Sequence, residues 1–226
     1  MSDIYERTKL LIGKEGLEKL QNSKVLLFGV GGVGGYVAEG LVRAGIGHIC
    51  LVDMDVVSTS NINRQVIALH STVGMPKVTV MKNRILDINP DCQVETRQCF
   101  YLPENSKEFD FSEYDFVIDA IDNVTAKLDI IEKSTRLNIN IISAMGTGNK
   151  LHPEMFEITD IYKTEMCPLA KVMRKELKNR GIKKLTVLYS KEKPVYKGDV
   201  PGSIGFTPPV AGLLMASYVV NTMLSK

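Results

Sequence analysis

The residue pattern between positions 28 and 65 could bind a nucleotide. An apolar segment is followed by four closely spaced glycines: Gly29, Gly31, Gly32 and Gly34. Glycines let the backbone turn tightly and approach phosphate oxygens, and a helix that begins beyond them offers free N–H groups and a partial positive charge. Asp53 follows Gly34 by nineteen residues, where a carboxylate can accept hydrogen bonds from a ribose, and Asp55 lies beside it. This spacing predicts a nucleotide site that would serve NAD and ATP equally well.

Polar residues beyond Asp53 favour ATP over NAD. Asn61, Arg64 and Gln65 occupy the following loop, and Lys77 begins the next predicted helix. An arginine fork and a lysine point charge together neutralise a triphosphate and stabilise the charge that develops as pyrophosphate leaves. Each residue also has a purely structural interpretation, as a turn or cap residue for Asn61 and as surface charges for Arg64 and Lys77. Their occurrence together in this order favours the triphosphate.

One further carboxylate lies in the segment "DAIDN", at the end of a predicted buried strand. Asp122 could hold Mg²⁺ through a single carboxylate while the phosphates supply further ligands, as Mg²⁺ sites in proteins commonly do. The structural alternative is that Asp122 caps the helix predicted to begin at Val124.

The elements that must position these residues alternate between apolar strands and helix-period segments. Predicted strands are "KVLLFGV", "HICLVDM", "CQVETRQC", "YDFVIDAID" and "INIISAMG". Predicted helices between them are "GYVAEGLVRAG", ending at Gly45, "KVTVMKNRILDI", ending at Asn89-Pro90, and "VTAKLDIIEKSTRLN". The order predicts an α/β fold with a Rossmann-like, doubly wound, largely parallel sheet, to which the C-terminal part adds a strand and helices.

Length and composition predict one domain over residues 1–226. Its first part, to about residue 150, would bind the nucleotide, and residues from about 151 to 226 would face the substrate. The chain is 44% hydrophobic and 24% charged, with a net charge of +2, and its N-terminus lacks an apolar export segment. We therefore expect a cytoplasmic protein. The four cysteines form no C-x-x-C pair, so we expect no zinc.

A basic segment follows the predicted nucleotide-binding part. Residues 163–197 contain eleven Lys or Arg and three acidic residues, so the net charge of this segment is +8. The net charge of the rest of the chain is therefore −6. Such asymmetry suggests a polyanionic partner such as nucleic acid. In the predicted helix "LAKVMRKELKNRG", a buried stripe of Leu169, Val172, Met173 and Leu177 would turn most cations outward. These cations are Lys171, Arg174, Lys175, Lys178 and Arg180. The alternative is a helix whose basic face is simply solvated.

The segment "FTPPVAGLLMASYVVNTMLSK" predicts a long apolar helix. Its continuous apolar run is shorter than the roughly 18–20 residues that cross a bilayer. We therefore expect a core or dimer-interface helix and no membrane association.

Taken together, five motifs resemble the ThiF/MoeB/HesA superfamily of ubiquitin-activating-enzyme-like adenylating proteins. They are "GVGGVGG", "LVDMDVVSTSNINRQ", "VGMPKV", "INP" and "DAIDN". The resemblance implies that Asp53 binds ribose, that Asn61, Arg64 and Lys77 bind phosphates, and that Asp122 coordinates magnesium. It also implies a homodimer in which Arg7 reaches the ATP site of the partner subunit. The implied reaction is attack of a carboxylate on the ATP α-phosphate, giving an acyl-adenylate and pyrophosphate.

Two C-terminal stretches resemble one branch of this superfamily, the tRNA threonylcarbamoyladenosine dehydratases. They are "TDIYKTEMCPLAKVMRKELKNRGIKKLTVLYS" and "PGSIGFTPPVAGLLMAS". In that branch the threonyl carboxylate of a modified adenosine beside the anticodon is adenylated, and intramolecular attack closes a ring with net loss of water. The resemblance implies ATP and Mg²⁺ as cofactors and tRNA as substrate.

Alternatives remain open at this point. Branches that activate the C-terminal glycine of a sulfur-carrier protein commonly hold zinc with two C-x-x-C pairs, which this sequence lacks. A noncatalytic nucleotide-binding partner protein would keep the fold without turnover, and an NAD-binding protein would use the same glycines. Cys167 could be a thioester nucleophile or, as we favour, a helix-start residue before Pro168. A monovalent cation and a sulfur-transfer or accessory protein also remain open.

Overall fold

The computed structural model describes residues 4–196, 198 and 200–225. Its six α-helices and seven strands are numbered here in chain order. The helices are α1 (Glu6–Asn22), α2 (Gly34–Ala44), α3 (Lys77–Ile88), α4 (Val124–Arg136), α5 (Pro168–Asn179) and α6 (Thr207–Leu224). The strands are β1 (Lys24–Phe28), β2 (His48–Val52), β3 (Gln93–Arg97), β4 (Phe116–Asp119), β5 (Asn140–Ala144), β6 (Phe156–Asp160) and β7 (Thr186–Ser190).

All seven strands form one sheet, in the order β3-β2-β1-β4-β5-β7-β6. Every pairing is parallel except that of β6 with β7. The chain moves outward from β1 through β2 to β3, and then returns to β4 on the other side of β1. This reversal leaves a crevice at the carboxyl ends of β1 and β4, where doubly wound sheets bind ligands. The predicted fold class is confirmed.

Two layers of helices cover the sheet, because its strands are apolar on both faces. On one face of the sheet, α2, α3 and α6 pack on buried side chains of β1 and β2, such as Leu27 and Leu51. On the other face, α4 and α5 pack with an aromatic group that joins Phe28 to Tyr101 and Phe111. The sheet therefore has a buried core on each side.

Helices α2 and α6 approach each other closely because their contacts are made by small residues. A β-carbon added to Gly212 of α6 would lie 2.4 Å from the carbonyl oxygen of Val33, the residue before α2. One added to Gly40 of α2 would lie 2.8 Å from the Ala216 side chain of α6. Helix α6 is thus a core helix, and no helix in the described ranges is long and apolar enough to span a membrane.

The structure contains two elements more than the sequence predicts, helix α1 and a second C-terminal strand. Helix α1 is broken at Gly13, whose φ of 72° is left-handed. Strands β6 and β7 both belong to the C-terminal part, where a single additional strand is expected. Strand β7 inserts between β5 and β6, so the C-terminal part continues the same sheet.

Candidate nucleotide site

A cavity of about 710 Å³ opens at the carboxyl ends of the central strands, at the predicted crevice. Of the residues predicted from the sequence for the nucleotide site, ten line it: Gly29, Gly31, Gly32, Asp53, Asp55, Asn61, Arg64, Gln65, Lys77 and Asp122. Gly34 and Arg7 do not. Gly34 lies behind the loop at the start of α2, and Arg7 is exposed in the first turn of α1.

The glycine-rich loop is shaped by contacts within the protein. Gly29 has a φ of 89°, and a β-carbon there would lie 2.7 Å from the Ala120 carbonyl oxygen. At Gly34 an added β-carbon would lie 1.8 Å from the Gly29 carbonyl oxygen. A β-carbon added to Gly31 would have Gln65 Nε2 as its nearest neighbour, 3.8 Å away. The fold therefore requires Gly29 and Gly34, whereas Gly31 leaves space on the cavity side that a phosphate could approach.

Asp53 joins the glycine-rich loop to the end of β2. Its Oδ2 accepts the Val30 N–H at 2.7 Å, and its Oδ1 accepts the Asp55 N–H at 2.8 Å. Each carboxylate oxygen can accept more than one hydrogen bond, so the group can still accept a ribose hydroxyl. Asp53 therefore fixes the loop and also faces the cavity.

Lys77 is the first residue of α3 and is only 6% exposed. Its Nζ lies 2.6 Å from Asp55 Oδ2, and its backbone N–H donates to the Asp55 carbonyl at 3.0 Å. Asp55 is exposed on the cavity side. The ion pair holds the lysine ammonium at the wall of the cavity, where it can meet a phosphate.

Three polar residues of the loop after β2 point into the same space. Asn61 is buried and its Oδ1 accepts the Ser58 N–H at 3.1 Å, so it caps the short helical turn Thr59–Asn61. One nitrogen of the Arg64 guanidinium donates to the Ser60 carbonyl at 2.9 Å, and the fork keeps further N–H groups. Gln65 is 7% exposed, and its Oε1 finds no hydrogen-bond partner among the described residues. A buried polar atom in a cavity without a partner fits a site that a ligand completes.

Asp122 lies in the loop after β4 and is exposed to the cavity. Its alternative role as a helix cap is wrong, because Asn123 caps α4 by accepting the Ala126 N–H at 2.9 Å. Asp122 itself makes no hydrogen bond or ion pair within the described part of the chain. One unengaged carboxylate beside a phosphate site is the ligand set that Mg²⁺ commonly uses.

Behind the loop after β4 lies a fully buried charged network. Lys127 Nζ contacts Asp119 Oδ2 at 2.8 Å and Ser143 Oγ at 3.3 Å, and the Ser143 hydroxyl donates to Asp119 at 2.5 Å. Asp119 Oδ1 also accepts the Ile121 N–H at 3.3 Å. The network ties the ends of β4 and β5 to α4, and it thereby fixes the loop that carries Asp122. The sequence pattern does not predict the burial of Lys127, since a lysine in a helix is ordinarily a surface residue.

The far wall of the cavity is also missed by the sequence analysis. It consists of residues 144–148 at the end of β5 and in the following loop, Leu169, and residues 200–203 of the segment before α6. Asn149 joins these segments, since its Oδ1 accepts the Gly202 N–H at 2.6 Å and its own N–H donates to the Gly202 carbonyl at 2.8 Å. The sequence signal for this wall is a glycine pair, Gly146 and Gly148, at the end of the predicted strand "INIISAMG".

An apolar end of the cavity lies beyond β3, where Met54, Cys99, Phe100 and Tyr101 line it. Burial raises the pKa of Tyr101, and the hydrogen bond from its hydroxyl to Asp129, 2.6 Å long, raises that pKa further. Burial also raises the pKa of the Cys99 thiol. Both groups are therefore neutral at pH 7, which suits contact with an uncharged aromatic base.

Helix α5 exposes a row of lysines, as predicted. The residues that form its buried stripe differ from the predicted ones. Val172 is 46% exposed, and Ala170 occupies the buried position beside Met173 and Leu177. The prediction for Val172 is wrong because the helix is rotated so that the small Ala170 faces α4 and the sheet. The expectation for Cys167 agrees with the structure: the residue is buried, and its Sγ caps α5 by accepting the Ala170 N–H at 3.5 Å.

The five cations proposed on this helix divide into two groups. Arg174 donates to the Thr164 carbonyl at 2.8 Å, and Arg180 pairs with Glu176 at 2.7 Å and with Glu132 at 3.0 Å. The other three, Lys171, Lys175 and Lys178, are exposed. Their spacing of four and three residues places them on one side of the helix.

Across the described residues, no group of three or more His, Cys, Asp or Glu could hold a metal ion.

The fold and this cavity together are those of an adenylating protein, and the chain belongs to the ThiF family, which matches residues 5–226. It is 45% identical to the tRNA threonylcarbamoyladenosine dehydratase of Bacillus subtilis, over 97% of this chain and 94% of the relative. The crystal structure of the Escherichia coli enzyme of that name, TcdA, in complex with ATP superimposes with a TM-score of 0.93 at 34% identity, covering 98% of this chain and 93% of that one. A sulfur carrier protein adenylyltransferase of Thermus thermophilus is 40% identical over 54% of this chain and 45% of its own length.

Proposed function

We propose that this protein uses ATP to dehydrate threonylcarbamoyladenosine in tRNA. The observation that carries the proposal is the convergence of Arg64, Gln65, Lys77 and Asp122 on one cavity beside a glycine-rich loop. The similarity to the dehydratase of Bacillus subtilis, which extends through the basic segment and α6, supports the choice of substrate. The match to the sulfur carrier adenylyltransferase covers about half of either chain, which supports that alternative less.

The proposed reaction has two steps. An oxygen of the threonyl carboxylate attacks the α-phosphorus of ATP, and the bond to pyrophosphate breaks. An atom of the same modified base then attacks the acyl carbon, AMP leaves with the carboxylate oxygen, and the attacking group releases its proton. The base thereby loses one water, while ATP becomes AMP and pyrophosphate.

The protein contributes mainly position and charge, because a carboxylate is already a competent nucleophile. Arg64 and Lys77 neutralise the phosphates and the departing pyrophosphate. Asp53 orients the ribose, Asn61 and Gln65 complete the phosphate site, and Asp122 would hold Mg²⁺ with the phosphates. When bound, Mg²⁺ neutralises phosphate charge. We propose no role for a monovalent cation or for an accessory protein. We propose a cytoplasmic enzyme, in keeping with relatives that are named for the modification of tRNA.

Mass spectrometry of tRNA tests the reaction directly. With ATP and Mg²⁺, tRNA carrying threonylcarbamoyladenosine should lose one water per modified base, and AMP should appear in equal amount. ADP as the product would contradict adenylation. If a sulfur-carrier peptide ending in Gly-Gly supports pyrophosphate exchange while the tRNA stays unchanged, the substrate is wrong.

Substitutions in the cavity test the proposed roles. Arg64→Ala and Lys77→Ala should each slow the reaction roughly a hundredfold or more, the effect of losing one preorganised charge donor. Lys82→Ala is the matched control on the same helix, because Lys82 does not line the cavity. An Asp122→Asn variant with full activity would remove the magnesium role.

We further propose a homodimer in which Arg7 completes the partner's site, and we treat residues 1–226 as one functional unit. In support, Leu10 and Leu11 beside Arg7 on α1 are 83% and 89% exposed, as expected of a surface that a second copy covers.

Mixing inactive subunits tests this arrangement. In a mixed dimer of Arg7→Ala with Lys77→Ala, one site has both groups and the other has neither. Equal mixing gives about half mixed dimers, so about a quarter of wild-type activity should return. Mixed dimers, verified by co-purification of differently tagged chains, that stay inactive would place Arg7 outside the partner's site.

A further inference from the structure

A second cavity, of about 890 Å³, lies where α4 and α5 end, away from the nucleotide site. We call it the basic cleft. Six cationic residues line it against two carboxylates, Asp129 and Glu132. The cationic residues are Lys107, Lys133, Arg136, Arg180, Lys183 and Lys184. No step of the proposed reaction uses this cavity.

Both carboxylates and two of the cations of the basic cleft are already engaged within the protein. Glu132 pairs with Arg180 at 3.0 Å, and Asp129 accepts the Tyr101 hydroxyl at 2.6 Å. Lys133 donates to the carbonyl oxygens of Ser106 and Phe109. The engaged groups therefore neutralise little of the positive charge on the remaining cations.

Four cations of the basic cleft remain available to an external anion. All four are exposed, and none has an ion-pair partner within residues 4–196, 198 and 200–225: Lys107, Arg136, Lys183 and Lys184. Their mutual repulsion around one cavity is unfavourable unless an anion binds there.

Stabilisation of helix ends does not explain this cluster. Cations in the last turn of a helix interact favourably with its carbonyl groups, and Arg136 at the end of α4 fits that role. Lys183 and Lys184, however, lie between α5 and β7, outside any helix. The cluster therefore points to a ligand with several negative charges.

The position of the basic cleft identifies the kind of ligand. The residue that caps α4, Asn123, lines the nucleotide cavity, and the last residue of the helix, Arg136, lines the basic cleft. The thirteen residues of α4 place Arg136 about 20 Å from the end of the helix at the nucleotide cavity, at 1.5 Å per residue. The exposed row of Lys171, Lys175 and Lys178 follows α5 toward the same cleft. A continuous polyanion can contact all three places, whereas a small ligand cannot.

We propose that the basic cleft binds backbone phosphates of the same tRNA whose modified base enters the nucleotide cavity. This inference rests on the proposed function. Contacts to phosphates position an RNA without reading its sequence. The basic cleft would thus supply affinity and orientation at a distance from the chemistry.

A triple variant, Lys107→Gln with Lys183→Gln and Lys184→Gln, tests the basic cleft. The matched control removes three charges from the opposite face of the sheet, by changing Lys14, Lys19 and Lys82 to Gln. The probe is tRNA carrying threonylcarbamoyladenosine, titrated at several salt concentrations. Each lost phosphate contact lowers the salt slope by about 0.7–0.9, so the cleft variant should lose about two units. Its KM for tRNA should rise at least tenfold with little change in kcat, and the control should resemble wild type.

The outcomes separate the two proposals. If wild-type protein leaves the tRNA unchanged, the proposed function fails and the cleft proposal fails with it. If wild type reacts and the cleft variant keeps its salt slope and KM, the cleft proposal alone is wrong. Equal losses in the cleft variant and the control would show an effect of net charge and would also overturn it. Thermal unfolding of both variants verifies that they are folded.

Discussion

Removal of the buried ammonium group of Lys127 should destabilise the protein strongly. Lys127 and Asp119 are both fully buried, with Nζ and Oδ2 2.8 Å apart. Removing one member of such a pair leaves the other charge uncompensated in a medium of low dielectric constant, which costs about 3–5 kcal/mol. In Lys127→Met, the Ser143 hydroxyl and the Ile121 N–H would remain as donors to Asp119, and neither carries a charge. We therefore expect the free energy of unfolding to fall by about 3–5 kcal/mol.

Equilibrium unfolding in urea measures this loss. With a slope of about 2 kcal/mol per molar urea, the midpoint should fall by roughly 1.5–2.5 M at an unchanged slope. Lys14→Met is the matched control, because Lys14 forms an exposed pair with Glu18 at 3.6 Å and such pairs contribute about 0–1 kcal/mol. The double variant Asp119→Asn with Lys127→Met removes both charges and should recover much of the loss.

A small effect would refute the reasoning. If Lys127→Met costs no more than Lys14→Met, the Asp119 charge is compensated by groups other than the lysine. If the double variant is as unstable as the single one, the loss comes from the shape of the side chain and not from an uncompensated charge.

Three further predictions concern other sites. Gly31→Ala should leave the unfolding midpoint close to wild type and weaken ATP binding about tenfold or more, since overpacking costs about 1–3 kcal/mol. Gly34→Ala should fail to fold stably. A stable Gly34→Ala variant with an unfolded Gly31→Ala variant would contradict the roles assigned to the two glycines. Burial alone would raise the pKa of Glu39, but hydrogen bonds from Arg84 and Arg43 outweigh it and lower that pKa. The stability that Glu39 contributes should thus be present above its ordinary pKa and disappear as the pH falls through the lowered value, so the difference between Glu39→Gln and wild type in urea unfolding should be largest at pH 7 and shrink as the pH is lowered. Alkylation of the native protein at pH 8 should modify Cys99 before the buried cysteines, and ATP should slow that reaction; peptide mapping that shows no protection would place the nucleotide elsewhere.

Elements with strong local signals are predictable from this sequence. Helix α3 has the predicted bounds, because its apolar residues recur at the helical period and Asn89-Pro90 ends it. Helix α2 ends as predicted at Gly45, whose φ of 113° few other residues adopt. Helix α1 gives a weaker signal, because the break at Gly13 separates the exposed Leu10 and Leu11 from the buried Leu17 and Leu20, so they form no single apolar stripe.

The two walls of the nucleotide cavity also differ in how well the sequence predicts them. The wall that carries Asp53, Arg64 and Lys77 is predictable, because charged residues at fixed spacings follow strands whose carboxyl ends must meet. The opposite wall depends on where β7 inserts in the sheet and on the contact between Asn149 and Gly202, which are 53 residues apart. Long-range pairing of that kind leaves no periodic trace in the sequence. The buried charge of Lys127 is missed for a different reason, since a lysine in a helix is ordinarily a surface residue.

The close contact between α2 and α6 affects the thermodynamics of ligand binding. Gly212 packs on the Val33 carbonyl, and Gly34 packs on the Gly29 carbonyl, so the glycine-rich loop is immobilised from two sides before any ligand arrives. Folding has therefore already restricted backbone freedom that a looser loop would lose on association. A side chain at Gly212, which does not line the cavity, would restore that freedom and make nucleotide binding entropically less favourable.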